Sequence, residues 1–327
     1  MKVCVFGVGA VGGTMGYGLA KAGCELSGLA RGATLDALRT KGLRFTDGNV
    51  TGSVPIRVSA DASELGPQDL VVLAVKAPAL REAAPLIAPL LGPDTMVLPA
   101  MNGVPWWFFQ GFGGELEGRR LDSVDPGGEI AAAIPAAAVI GCVVHLGASC
   151  PEPGLATATV PRRFILGEPS GVFSERLENL CGLFRAAGFE VDRSDHIQSD
   201  VWYKLWGNMT MNPLSAIAGA TMDRVLADPL VARFSLDIME EAKRIGARIG
   251  CPIEQSCEDR LEISRKLGAI RTSMLQDVEA GRRVELDALV ASVREIGGLL
   301  GEATPTIDIL LGLARLHART RGLYPLD

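Results

Sequence analysis

Residues 7 to 12 read Gly-Val-Gly-Ala-Val-Gly, directly after the apolar run Val3 to Phe6 and directly before a helix-compatible stretch that reaches about Ala22. Glycines at this spacing restrict the chain more than any other feature. In a strand, turn and helix setting, Gly7 permits the tight turn and Gly9 lets the backbone approach a pyrophosphate. Gly12 lets the helix pack closely on the strand, and Ala10 and Val11 open the helix whose N-terminus would hold the phosphates. An ordinary glycine-rich turn in an unliganded sheet is the alternative. A second apolar run, Leu26 to Leu29, completes a βαβ unit of about 30 residues.

The 327 residues exceed one typical domain. Later apolar runs at Leu70 to Val75, Met96 to Leu98 and Val139 to Val144 read as parallel strands buried on both faces, so the first half is predicted to be an α/β, Rossmann-type doubly wound sheet. Leu43 to Ser59 and Leu155 to Leu166 alternate around Asp47-Gly48 and Pro161, which predicts extra antiparallel strands or hairpins. After Ser194 the pattern turns helical. Leu286, Leu289, Val290, Val293 and Ile296 recur at spacings of three and four, Gly301 ends that helix, and Thr304-Pro305 starts another whose buried face is read as Leu310, Leu313 and Leu316. The predicted division is a dinucleotide-binding domain over 1–194 and an all-α substrate and catalytic domain over 195–327.

Hydrophobic residues make up 48% and charged residues 21%, the usage of an ordinary folded chain. The net charge of −6 is shared equally by the two predicted domains, so nothing basic is available for nucleic acid. Seven cysteines without a C-x-x-C pair and three scattered histidines suggest neither a disulfide framework nor a metal site, and fit a reducing cytoplasm. Ile130 to Pro151 lacks charged residues, yet Pro135, Gly141 and His145 interrupt it. It reads as a loop followed by a buried strand rather than a membrane span.

A dinucleotide site that prefers NAD places a carboxylate at the end of the second strand. Here that strand ends Leu29-Ala30-Arg31, and Arg31 offers a planar fork for a 2′-phosphate, which favours NADP; a solvated loop arginine is the alternative. Lys76 lies just past the Leu70 to Val75 strand, at an edge where open α/β sheets bind ligands. Between Asp200 and Asp223 the only charge is Lys204. Lys204, Asn208 and Asn212 fall on one helical stripe, while Trp202, Leu205, Trp206 and Met209 cover the rest. That pattern is the wall of a polar site or an exposed face, and Pro213 disfavours α geometry at Asn212.

These residues occur with Met101-Asn102-Gly103, Ser273-Met274-Leu275-Gln276-Asp277 and Glu285-Leu286-Asp287 in an order that resembles the ketopantoate reductases over nearly the whole chain. The resemblance implies NADPH-dependent reduction of a small-molecule 2-oxo acid to a 2-hydroxy acid, ketopantoate being the first candidate and pantothenate biosynthesis the pathway. By the same resemblance Lys204 is the general acid, and Glu285 is the carboxylate that positions lysine and substrate. Asn102 lies near nicotinamide and substrate, Asn208 and Asn212 bind substrate, and Ser273 contacts its carboxylate.

Simpler readings coexist with these roles. Asn-Gly favours turns by itself, Glu285 suits a first helical turn, and Ser273 with Gln276 forms a capping box. The stretch 105–138, which begins near Trp106-Trp107-Phe108-Phe109, is longer than the family's usual connection. It either walls or covers the site, or packs into the core or a subunit contact. The helical domain leaves room for a homodimer. A β-hydroxy acid or opine-type dehydrogenase, and a non-catalytic NADP-binding protein, are the competing functions.

Overall fold

The computed structural model describes residues 1–111, 113–159 and 162–326. The chain divides into two compact units. The first comprises Met1–Met101, Gly127–Asp200 and the short segment that begins at Trp107; the second comprises Asn102–Trp106, Gly113–Pro126 and the chain from Val201 onward.

The first unit is built on a five-stranded parallel sheet in the order Arg57–Ser59, Glu25–Leu29, Lys2–Phe6, Leu70–Leu73, Met96–Pro99. Val3, Cys4, Val5 and the whole of Leu70–Leu73 are fully buried, which explains why these strands read as unbroken apolar runs. Each fully buried Val or Leu contributes about 1.5–3 kcal/mol of transfer free energy, so this central pair anchors the unit. The strand order reverses direction between Lys2–Phe6 and Leu70–Leu73, and open α/β sheets bind ligands at that switch point, beyond the carboxyl ends of the strands.

Two smaller sheets complete the unit. One runs Thr51–Val54, Leu43–Thr46, Leu155–Ala158, Ala148–Glu152, and the other Glu190–Arg193, Arg163–Gly167, Gly141–His145. The hairpin expected around Asp47-Gly48 forms as Leu43–Thr46 against Thr51–Val54, while Arg57–Ser59 leaves it to join the main sheet in parallel. Leu155–Ala158 and Arg163–Gly167 each gain an antiparallel partner, but in different sheets; Pro161, read as the turning point, lies outside the described residues. One expectation is corrected. Gly141–His145 pairs antiparallel with Arg163–Gly167, and only an isolated bridge from Val139 to Val97 joins the run to a main-sheet strand in parallel. A continuous apolar run reports burial on two faces and carries no information on strand direction.

The second unit is helical: most of Ile197–Ala218, then Met222–Ala227, Pro229–Arg248, Cys257–Lys266, Ser273–Glu279, Ser292–Leu300 and Pro305–Arg319. Gly301 ends Ser292–Leu300 in the left-handed conformation, and Thr304 with Pro305 opens the last helix, as expected. Its buried face differs from the one read in the sequence. Ile307, Leu310, Leu311, Ala314 and Ala318 are buried, whereas Leu313 and Leu316 are half or more exposed. A spacing of three drifts about 60° backward at each step, so two steps from Leu310 carry the chain off the face. Among the described residues no helix is long and apolar enough to cross a membrane.

Candidate active site

In the first unit, a cavity of about 390 Å³ opens at the carboxyl edge of the main sheet, with Gly7, Gly9, Ala30, Arg31, Thr34 and Glu82 in its wall. The glycines contribute in different ways. Gly7 has φ +99°, and a Cβ there would lie 2.9 Å from the Ala74 carbonyl carbon. A Cβ on Gly12 would lie 2.3 Å from the Gly7 carbonyl oxygen and 2.8 Å from a Val5 methyl, so close packing of helix on strand requires glycine. Gly9 is different: a Cβ there meets no protein atom within 4 Å. Packing does not demand this glycine, and the space it leaves belongs to the cavity. Ala10 and Val11 begin the helix Ala10–Lys21, whose N-terminus has neither a side-chain cap nor an acidic residue in its first turn. Uncapped amides beside an open cavity fit a pyrophosphate.

Arg31 precedes the helix Gly32–Lys41, whose start is likewise uncapped and free of acidic residues. Arg31 is exposed and carries no ion pair among the described residues. Thr34 and Glu82 were missed in the sequence; Thr34 lies one helical turn beyond Arg31, a spacing that would have found it. Lys76 is exposed at the cap of Ala77–Ala83, and its neighbours Val75 and Ala79, rather than Lys76 itself, line the cavity.

In the second unit, the stripe on Ile197–Ala218 is not an exposed face. Trp202, Leu205, Trp206 and Met209 are buried, Asn212 is only 5% exposed, and Lys204 and Asn208 are half-buried. Full burial of an unpartnered ammonium costs several kcal/mol, so partial hydration and a polar acceptor are both needed. Lys204 has that acceptor: its Nζ donates to Asn102 Oδ1 at 2.8 Å. The helix runs through Pro213 without ending, and Asn212 remains helical. Asn212 Nδ2 donates to Ser273 Oγ at 3.4 Å.

The capping box expected at Ser273 does not form, and the N-cap lies one residue earlier. Thr272 caps the helix Ser273–Glu279, accepting from the Leu275 amide at 3.2 Å, and this releases the exposed Ser273 hydroxyl from backbone duty. Glu285 is 7% exposed and stands immediately before the helical segment, its carbonyl accepting from the Leu289 amide at 3.2 Å. The C-terminal segment brackets it, a role invisible in the sequence. The Val284 amide donates to the Leu323 carbonyl, and the Tyr324 hydroxyl donates to the Asp287 carboxylate. Burial, followed by that carboxylate, raises the Tyr324 phenol above its ordinary pKa.

The aromatic run is core. Trp106, Trp107, Phe108 and Phe109 are each at most 5% exposed, which rules out a covering role for their rings. In the second unit, the Asp122 and Ser123 amides donate to the Glu295 carboxylate at 2.7 and 2.9 Å, which fastens part of the remaining stretch.

A Rossmann-type unit with a glycine-lined cavity at the carboxyl edge of its sheet, followed by a helical unit with a half-buried lysine paired to an asparagine, places the chain among NAD(P)-dependent reductases. The profile described as Ketopantoate reductase PanE/ApbA matches residues 3–106, and that described as Ketopantoate reductase PanE/ApbA C terminal matches residues 196–318. The 2-dehydropantoate 2-reductase of Mesorhizobium japonicum is 45% identical over 325 residues, covering 99% of this chain and all of that protein. The chain belongs to the ketopantoate reductase family. A candidate ketopantoate reductase structure from Ralstonia solanacearum superposes with a TM-score of 0.94 at 58% identity, over 98% of this chain and 99% of that one. D-mandelate dehydrogenase, solved with NADH and anilino(oxo)acetate, shares the fold with a TM-score of 0.83 at 20% identity, over 99% of this chain and 100% of that one.

Proposed function

We propose that this protein catalyses the NADPH-dependent reduction of 2-dehydropantoate (ketopantoate) to pantoate, a step of pantothenate biosynthesis, in the cytoplasm. The first unit binds NADP, and the second, which takes in Asn102–Trp106 and Gly113–Pro126 besides the chain from Val201 onward, binds the substrate and carries the catalytic groups. The 2.8 Å pairing of Lys204 with Asn102 carries this reading, because it holds an ammonium on the polar stripe of Lys204, Asn208 and Asn212 beside a buried apolar face.

When bound, the dinucleotide supplies the hydride that reaches C2 of the ketone. Gly7, Gly9 and Gly12 shape the cradle for its pyrophosphate, with the amides of Ala10 and Val11 facing the anionic oxygens. Arg31, the uncapped start of Gly32–Lys41 and the Thr34 hydroxyl suit a 2′-phosphate, and no carboxylate ends the second strand to claim a ribose hydroxyl. Lys76 adds positive charge at the same edge. As negative charge grows on the ketone oxygen, Lys204 stabilises it and then delivers an Nζ proton to it. By accepting one N–H, Asn102 fixes the rotation of the ammonium so that another N–H is left for the ketone oxygen, and Glu285 supplies the carboxylate that aligns lysine and substrate. Asn208, Asn212 and Ser273 hold the rest of the 2-oxo acid, Asn212 and Ser273 as a hydrogen-bonded pair.

The test is NADPH oxidation by the purified protein with ketopantoate, beside pyruvate, 2-oxoisovalerate and bulkier 2-oxo acids. Turnover selective for ketopantoate is expected; turnover only with another acid would overturn the substrate assignment. Cofactor choice is tested separately. Arg31→Ala is expected to weaken NADPH binding by about 10–100-fold and to change NADH binding by less than about threefold. Equal losses for both coenzymes would place the 2′-phosphate elsewhere.

A further inference from the structure

Directly after Glu285 the backbone departs from α-helical bonding. Asp287–Ala291 forms a π-turn, and the Ser292 amide donates to the Asp287 carbonyl, five residues back, rather than to Ala288. The Ala288 carbonyl is thereby released from the helical ladder. It takes two other donors: the Val104 amide at 2.8 Å and the Ser292 hydroxyl, also at 2.8 Å. Gly103 lies flat against the same residue, with φ +89°, and a Cβ there would lie 2.6 Å from both Ala288 Cβ and Ala288 O. Asn102, the acceptor for Lys204, immediately precedes Gly103. All of these residues belong to the second unit.

We infer that the π-turn is a positioning device: it offers the Ala288 carbonyl to the Gly103-Val104 backbone, and so fixes Asn102 where its amide oxygen orients Lys204. Ser292 is the positioning residue. In a regular α-helix the Ser292 amide would occupy the Ala288 carbonyl, four residues back. Here the hydroxyl takes that place, leaving the other lone pair to Val104. Ser292 is fully buried and Val104 is 1% exposed, so water cannot substitute for either donor. Without the hydroxyl, the π-turn relaxes toward α bonding and the Ala288 carbonyl turns back into its own helix. The same segment carries Glu285 at its start, so one irregular turn serves both groups that align Lys204.

This inference rests on the assignment of Lys204 as proton donor, and the test separates the two. Ser292→Ala, Asn102→Ala and the double variant are compared for ketopantoate turnover and NADPH affinity. Ser292→Ala is expected to lower kcat by about tenfold with NADPH affinity unchanged, and the double variant to be no slower than Asn102→Ala alone, because both changes break one chain of contacts. Wild-type kcat in Ser292→Ala, or losses that multiply in the double variant, would overturn the positioning role. Hydrogen exchange in the unaltered protein gives a reading that does not depend on the variants folding. The Val104 amide is expected among the slowly exchanging ones, and rapid exchange would equally defeat the inference. Lys204→Ala with undiminished turnover would instead sink the proton-donor assignment, whatever Ser292→Ala does.

Discussion

Lys204→Ala is expected to lower kcat for ketopantoate by about three orders of magnitude while leaving NADPH affinity within about twofold of wild type. The expected loss is large because the proposal gives one ammonium two tasks, stabilising the charge that develops on the ketone oxygen and delivering the proton. Binding is expected to survive because Lys204 belongs to the second unit, whereas the glycine-lined cavity and Arg31, proposed to hold the dinucleotide, belong to the first. Steady-state kinetics and quenching of protein fluorescence by NADPH measure the two quantities independently. A variant that bound NADPH normally and turned over at the wild-type rate would remove Lys204 from the chemistry.

The second large effect separates two glycines of one motif. Gly9→Ala is expected to weaken NADPH binding by about 100-fold and to cost no more than about 1 kcal/mol of stability, since its new methyl group enters open space in the cavity. Gly12→Ala is expected to damage both. Its methyl group meets the Gly7 carbonyl oxygen at 2.3 Å, and backbone must move to admit it, at about 1–3 kcal/mol or more. Melting temperature and NADPH titration distinguish the pair. A Gly9→Ala protein with unimpaired NADPH binding would show that the cavity beside Gly9 is not the phosphate cradle.

What the sequence made legible was local and periodic. The glycine motif lay between a strand and a helix and could be assigned glycine by glycine. The 3.6-residue period put Lys204, Asn208 and Asn212 on one stripe before any tertiary contact was known. Errors arose where two local patterns competed or where a long-range partner decided. Thr272 and Ser273 are both good caps, and only the folded chain shows that Thr272 takes the role. Leu313 and Leu316 are apolar but leave the buried face through drift in helical phase. The π-turn had no sequence signal, because its cause includes the Val104 amide, far away along the chain. The aromatic run 106–109 was readable as core or cover, and burial of all four rings decided for core.

The central claim is hydride transfer to a 2-oxo carbon on this chain. It is tested most directly with NADPH deuterated at both C4 positions and unlabelled ketopantoate, followed by mass spectrometry and NMR of the product. Pantoate carrying deuterium at C2 is the expected result. Pantoate without deuterium at C2, or no pantoate from protein that binds NADPH, would contradict the account.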